Sequence, residues 1–174
     1  MSTTPEILLL GGPQSGKSAL VKRLRGHPQD EYSEPCTVPT VGVEMFSVPI
    51  TSSTKVTLRE IGSSMLLRWQ SYLDGCQAIL FMVDASDTTS AATTLMLLFE
   101  VLGARGSKPL AIYFNKTDLC DEEAVMTMYN VLHLDEVLHE ERERDRGVYF
   151  IGSGSCLDDS AARTVREWLT VKQF

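Results

Sequence analysis

Cysteine, aromatic rings and positive charge are all in short supply in this chain, and each shortage excludes something. The four cysteines, Cys36, Cys76, Cys120 and Cys156, are scattered through 174 residues. They show no paired metal or redox spacing, which excludes a disulfide framework or zinc ribbon and leaves the expectation of reduced thiols in a cytoplasmic protein. Lysine and arginine number 16 against 23 acidic residues, for a net charge of −7. A general nucleic-acid binder would show the opposite balance. No apolar run approaches the ~20 residues of a membrane helix. The start of the chain lacks a basic region followed by an apolar core, so no secretory signal is expected. Ser2 stands where N-myristoylation needs glycine, and Val171-Lys172-Gln173-Phe174 carries no prenylatable cysteine. The expectation is no lipid anchor or transmembrane segment of its own. His27, His133 and His139 form no ligand-like cluster. What remains, 43% hydrophobic and 22% charged, is the composition of an ordinary globular protein of one domain.

Glycine is placed with more purpose. Gly11-Gly12-Pro13-Gln14-Ser15-Gly16-Lys17-Ser18 has the spacing of a phosphate-binding loop: Gly, four residues, then Gly-Lys-Ser. Glycines let the backbone curl so that successive N–H groups face phosphate oxygens, and the following helix adds the positive end of its dipole. Lys17 is placed to reach the outer phosphates and the Ser18 hydroxyl to ligate Mg²⁺. The flanks agree. Before the loop, Glu6-Ile7-Leu8-Leu9-Leu10 reads as a buried strand; after it, residues 18–24 carry apolar side chains at helical spacing.

Further buried-strand runs lie at 77–84, 109–115 and 147–151. A hairpin is expected from Val41 to Pro49 and from Lys55 to Glu60, the second strand alternating Val56 and Leu58 with polar residues. Residues 26–39 read as a loop. Helical patterns cover roughly 89–102, 121–132 and 160–171, the middle one opening on Asp121-Glu122-Glu123 as the helix dipole favours. The mixed-charge run from His139 to Arg146 reads as a solvated helix face. Strands alternating with helices predict an α/β fold with a mostly parallel sheet and helices on both faces.

A second motif, Asn115-Lys116-Thr117-Asp118, follows a buried strand at the end where doubly wound folds bind ligands. A carboxylate there accepts both the N1–H and the exocyclic amine of guanine, a pair of donors that adenine does not offer on one edge.

Together these motifs resemble the small GTPases of the Ras superfamily, and within them the ADP-ribosylation-factor-like (Arf-like) branch. Pro39-Thr40-Val41-Gly42 is similar to that branch's first switch. Arg59-Glu60-Ile61-Gly62 occupies the slot of the second, where the branch carries Trp-Asp-Val-Gly-Gly-Gln. Trp69, Tyr72 and the stretch from Met82 to Asp87 fit the same branch. The resemblance implies a P-loop NTPase small G domain over residues 1–174, its sheet mostly parallel with one antiparallel strand. It implies a GTP/GDP switch with Mg²⁺ as cofactor. Effector and regulator proteins would bind through the switch loops in membrane or ciliary trafficking, and the protein would act as a cytoplasmic monomer. Gly11, Gly12, Pro13, Gln14, Ser15, Gly16, Lys17, Ser18 and Ala19 would surround the phosphates. Thr40 would complete the Mg²⁺ shell, and the Gly62 N–H would meet the γ-phosphate. Asn115, Lys116 and Asp118 would hold guanine. The branch's Ser-Ala-Lys loop beneath the base corresponds to Ser155-Cys156-Leu157, with Gly152-Ser153-Gly154 as the alternative.

The departures from the branch are equally specific. Its water-positioning glutamine falls at Ser64, too short for that task, and Ser63 replaces a glycine. Slow hydrolysis of GTP to GDP and phosphate is therefore expected, or a GTP-binding scaffold without useful turnover. Glu60 replaces the metal-associated aspartate. It either serves the metal, directly or through a water, or is a polar strand-end residue with no metal role. Only residues 1–5 precede the first strand, so the branch's N-terminal amphipathic helix is not expected. Its partner-binding aromatic trio falls at Val43, Arg59 and Tyr72, leaving one aromatic. Met65-Leu66-Leu67 is either an exposed binding patch or, the favoured reading, core tucked beneath the second switch. Trp168, spaced with Val165 and Leu169, reads as core.

Overall fold

The apolar runs at 7–10, 78–83 and 110–114 become strands buried on both faces, while the run at 147–151 becomes an edge strand that is mostly half-buried. A computed structural model describes residues 4–26, 39–51 and 53–172. The strands are β1 (Glu6–Gly11), β2 (Val43–Pro49), β3 (Lys55–Ile61), β4 (Ala78–Asp84), β5 (Leu110–Asn115) and β6 (Val148–Ser153). They form one sheet in the order β2-β3-β1-β4-β5-β6. Among the described strands only β2 runs antiparallel, paired with β3 from Val43 opposite Ile61 to Pro49 opposite Lys55. The other neighbours are parallel. The expected hairpin and the single antiparallel strand are both present.

The helices are α1 (Lys17–Leu24), α2 (Ala91–Ala104), α3 (Glu122–Val131), α4 (Leu134–Glu143) and α5 (Asp159–Lys172). Residues along β1 alternate between the two faces. Ile7 and Leu9 join Leu20, Leu24, Val165 and Trp168 in a core beneath α1 and α5. Leu8 and Leu10 join Leu98, Val101, Met128 and Val137 in a core beneath α2, α3 and α4. Trp69, at 1% exposure, anchors the 3₁₀ segment Ser63–Tyr72 in the second core. At ~25 cal/mol per Å² of apolar surface, two such layers are the main stabilising term. The Asp121 side chain caps α3 by accepting from the Ala124 N–H at 2.8 Å, as its acidic opening predicts.

Two expectations need correction. The run from His139 to Arg146 is not simply a solvated face, because Glu141 turns inward on α4 at 4% exposure and pairs with the equally buried Arg105 at the end of α2. A buried arginine donor recruits a carboxylate that local charge patterning cannot single out. The stretch Met65-Leu66-Leu67 divides: Met65 packs against the core while Leu67 is fully exposed; nothing is described of the Leu66 side chain. A tight 3₁₀ turn leaves adjacent side chains facing different ways, so the three cannot all face the core. The loop expected at 26–39, with His27 and Cys36, lies almost wholly outside the described residues.

Candidate nucleotide-binding site

Parallel strands deliver their following loops to one edge of the sheet, and there the motif residues meet. The loops after β1, β3, β5 and β6 line a pocket of about 620 Å³. Its walls include Pro13 to Ala19, Thr40, Glu60, Gly62, Asn115, Lys116, Asp118, and Ser155 to Leu157. Gly11 and Gly12 form the base of the first loop without lining the pocket. Of the two alternatives beneath the base, the structure places Ser155-Cys156-Leu157 at the pocket; Gly152 and Ser153 lie in β6.

The first loop is held in a conformation that needs its glycines. Gly16 sits at φ +92, and a Cβ there would lie 2.0 Å from the Asn115 Nδ2. Gly11, at φ +149, approaches the Met82 carbonyl so closely that a Cβ would lie 2.3 Å from it. Gln14 adopts φ 59 without being glycine. Lys17 closes the loop on itself, its Nζ donating to the Gly11 and Gly12 carbonyls at 3.0 and 2.9 Å. Only 6% of Lys17 is exposed. Burial pulls its pKa down from 10.5 to about 8, with the Glu60 carboxylate pulling the other way.

A charged ammonium held in so little water is poised for an anion. The unfolded chain keeps the Lys17 proton between pH 8 and 10.5, where the folded, nucleotide-free protein sheds it. Stability must therefore rise with pH across that window. Relative to Lys17→Met, the native protein should gain about 3 kcal/mol over it. Urea denaturation of both proteins at the two ends of the window checks this; a constant difference between them would contradict it.

Ser18, Thr40 and Glu60 converge. Ser18 Oγ donates to Glu60 Oε1 at 2.6 Å, Thr40 Oγ1 donates to the same oxygen at 3.0 Å, and the two hydroxyls are 3.2 Å apart. Glu60 is 1% exposed, and its Oε2 has no hydrogen-bond partner. Three hard oxygen ligands with an unpartnered buried carboxylate oxygen suit a cation such as Mg²⁺.

At the other end, Asn115 acts as a bridge between loops. Its Nδ2 donates to the Ser15 carbonyl and its Oδ1 accepts from the Cys156 N–H, both at 2.9 Å. Lys116, at φ 66, pairs with Asp84 at 2.7 Å. The fixed Lys116 ammonium and the exposed Asp118 carboxylate lie on the pocket wall. Burial pushes the Cys156 thiol up to about 12, keeping it neutral. Sequence reasoning missed Asp84 as the partner of Lys116, and it missed Pro39 and Leu119 on the pocket wall. The aspartate at the exit of a buried strand was the available signal for the first; the others adjoin motif residues, Pro39 beside Thr40 and Leu119 beside Asp118.

Around the second switch, the Gly62 N–H donates to the Gly42 carbonyl at 2.9 Å. A Cβ on Gly62 would meet the Thr40 carbonyl at 2.2 Å. Ser64 is exposed. Arg59 lies over the Tyr72 ring at 5.3 Å and pairs with Glu6 at 2.8 Å, so the one remaining aromatic of the trio is covered by a cation. No described helix is long and apolar enough to cross a membrane.

Residues 2–172 match the ADP-ribosylation factor family. The chain is 35% identical over 138 residues to human ADP-ribosylation factor-like protein 16, covering 75% of this chain and 69% of that one. It is 29% identical over 168 residues to ADP-ribosylation factor-like protein 8c of Arabidopsis thaliana, covering 94% and 85%. Its fold matches the Arl6 small GTPase of Trypanosoma brucei, solved with the nucleotide analogue GppNp, at a TM-score of 0.76 and 16% identity, over 98% of this chain and 97% of that one. Members of the family bind GTP and GDP, and this chain belongs to it as an Arf-like small GTPase.

Proposed function

We propose that this protein is a slow guanine-nucleotide switch, a single G domain over residues 1–174 that binds effectors through its switch loops in membrane or ciliary trafficking. The observation that carries the reading is the convergence of Ser18, Thr40 and Glu60 at the mouth of the Lys17 loop. Thr40 comes from the first switch segment and Glu60 from the strand leading into the second, so a ligand on this cluster orders both. Ser18, Thr40 and Glu60 would hold Mg²⁺, which supplies charge neutralisation of the β- and γ-phosphates. Lys17 would face the outer phosphates and Asp118 the guanine edge. For Gly62 to offer its N–H to a phosphate, it must first release the Gly42 carbonyl.

Hydrolysis is expected to be slow because Ser64 is an exposed side chain too short to orient a water. A scaffold with no useful turnover is the second reading, favoured by the same residue. Mass identification of the co-purified nucleotide, with phosphate release followed in the same sample, tests both. GTP retained for hours supports a slow switch or scaffold; ATP overturns the nucleotide assignment, and rapid partner-free turnover overturns the slow-hydrolysis claim. Asp118→Asn should move preference from guanine toward xanthine nucleotides, by about tenfold or more in relative affinity; an unchanged preference would put the base elsewhere.

A further inference from the structure

We propose that Arg23, on the last turn of α1, is a positioning residue for the base: it holds the Ser155-Cys156-Leu157 loop in the form that receives guanine. The inference rests on the guanine-nucleotide reading above. The loop carries no lysine or arginine of its own. Its N–H groups are tied inward, Cys156 N–H to Asn115 and Leu157 N–H to the Ser155 hydroxyl at 3.0 Å. Its carbonyls are tied by Arg23, whose Nε donates to Cys156 O at 3.1 Å and whose Nη2 donates to Leu157 O. Asn115 and Arg23 thus grip Cys156 from its two ends, one through the N–H and the other through the carbonyl.

The arginine fork suits the task because two adjacent carbonyls need two donors at a fixed separation. Arg23 is only 17% exposed on its side chain, and its partner Asp159, at 3.6 Å, is 79% exposed. The bond to the buried Cys156 is the best shielded of these contacts, that to the half-exposed Leu157 is open to solvent, and the ion pair contributes little. Lys17 begins α1 and Arg23 stands near its end. One rigid helix ~12 Å long therefore sets the spacing between the phosphate loop and the base loop.

A structural role alone, stapling α1 to α5, provides the control. Arg166 on α5 donates to the carbonyls of Leu24 at 2.8 Å and Arg23 at 3.5 Å, joining the same two helices without touching the base loop. Release of a fluorescent GDP should speed up about 30-fold in Arg23→Met, given two charge-assisted bonds lost. It should change no more than about twofold in Arg166→Met, even where melting temperatures fall alike. Arg23→Lys keeps one donor and should fall between, at about fivefold; it carries the test if Arg23→Met fails to fold. Amide exchange at Cys156 and Leu157 should accelerate only in the Arg23 variants. Equal release rates in Arg23 and Arg166 variants would overturn the inference. Failure of the wild-type protein to hold GDP would instead overturn the proposed function.

Discussion

Glu141→Ala should lower stability by about 3–5 kcal/mol, the usual cost of stranding one member of a buried ion pair. Against a total of roughly 5–15 kcal/mol for a domain, that is a large share, equal to a fall of about 10 °C or more in melting temperature at this size. Arg105 is 1% exposed; its guanidinium donates to Glu141 and to the Lys108 carbonyl, while its Nε has no partner. Desolvation presses its pKa down and the Glu141 carboxylate opposes that. Removing the carboxylate leaves a cation between α2 and α4 with one carbonyl for company. Arg144 and Arg146 also lie within 3.3 and 3.9 Å of Glu141 Oε1, but the first is exposed and the second partly so, and both hold it weakly. Thermal melting of Glu141→Ala beside the double variant Arg105→Leu with Glu141→Leu checks the reasoning. The double variant should recover most of the loss, because apolar packing replaces both charges. If the single variant melts within 2 °C of wild type, the pair is not buried as described.

Asn115→Ala should cost about 100-fold or more in GDP affinity. Its amide satisfies the Ser15 carbonyl and the Cys156 N–H at once, 2% exposed. Truncation strands two buried backbone groups at ~1–3 kcal/mol each. Part of that loss falls on the nucleotide-free protein as stability, and the rest on binding, because both loops lose the bridge that registers them. Equilibrium titration with a fluorescent GDP separates the shares when combined with denaturation of the nucleotide-free protein. Asn115→Asp is the informative companion: it keeps the acceptor for Cys156 N–H but sets a carboxylate against the Ser15 carbonyl, and should do no better than alanine. Full affinity in Asn115→Ala would mean that the loops are registered by other contacts.

Much of this is legible in the sequence. Continuous apolar runs such as residues 78–83 have no polar side to expose and read as buried strands, and β1, β4 and β5 do stand together in the middle of the sheet, though their order is not written in the runs. The Gly-Lys-Ser loop was legible because few backbones need glycine at such spacing. What was not legible depends on partners far apart along the chain. Asn115 reads as a base contact, and its amide also bridges Ser15 and Cys156, 100 and 41 residues away, which no local pattern announces. Glu141 is indistinguishable from Glu140 in a charge run; only Arg105, 36 residues earlier, selects it. Leu67 carries the same side chain as the buried leucines, and only the handedness of a tight turn points it outward.

The close approach at Gly62 has a consequence for how this chain can vary. A side chain there would collide with the backbone of Thr40 and the Gly42 carbonyl, 2.2 and 2.8 Å from its Cβ. Gly12, two positions into the phosphate loop, has nothing within 4 Å of where a Cβ would sit. In a library of random single substitutions, position 12 should accept small residues readily. Position 62 should accept none, and Ser64, exposed two residues further on, should drift freely. The same few residues thus hold both the most and the least replaceable positions of the chain, exposed Ser64 and the crowded Gly62 that ties two loops together.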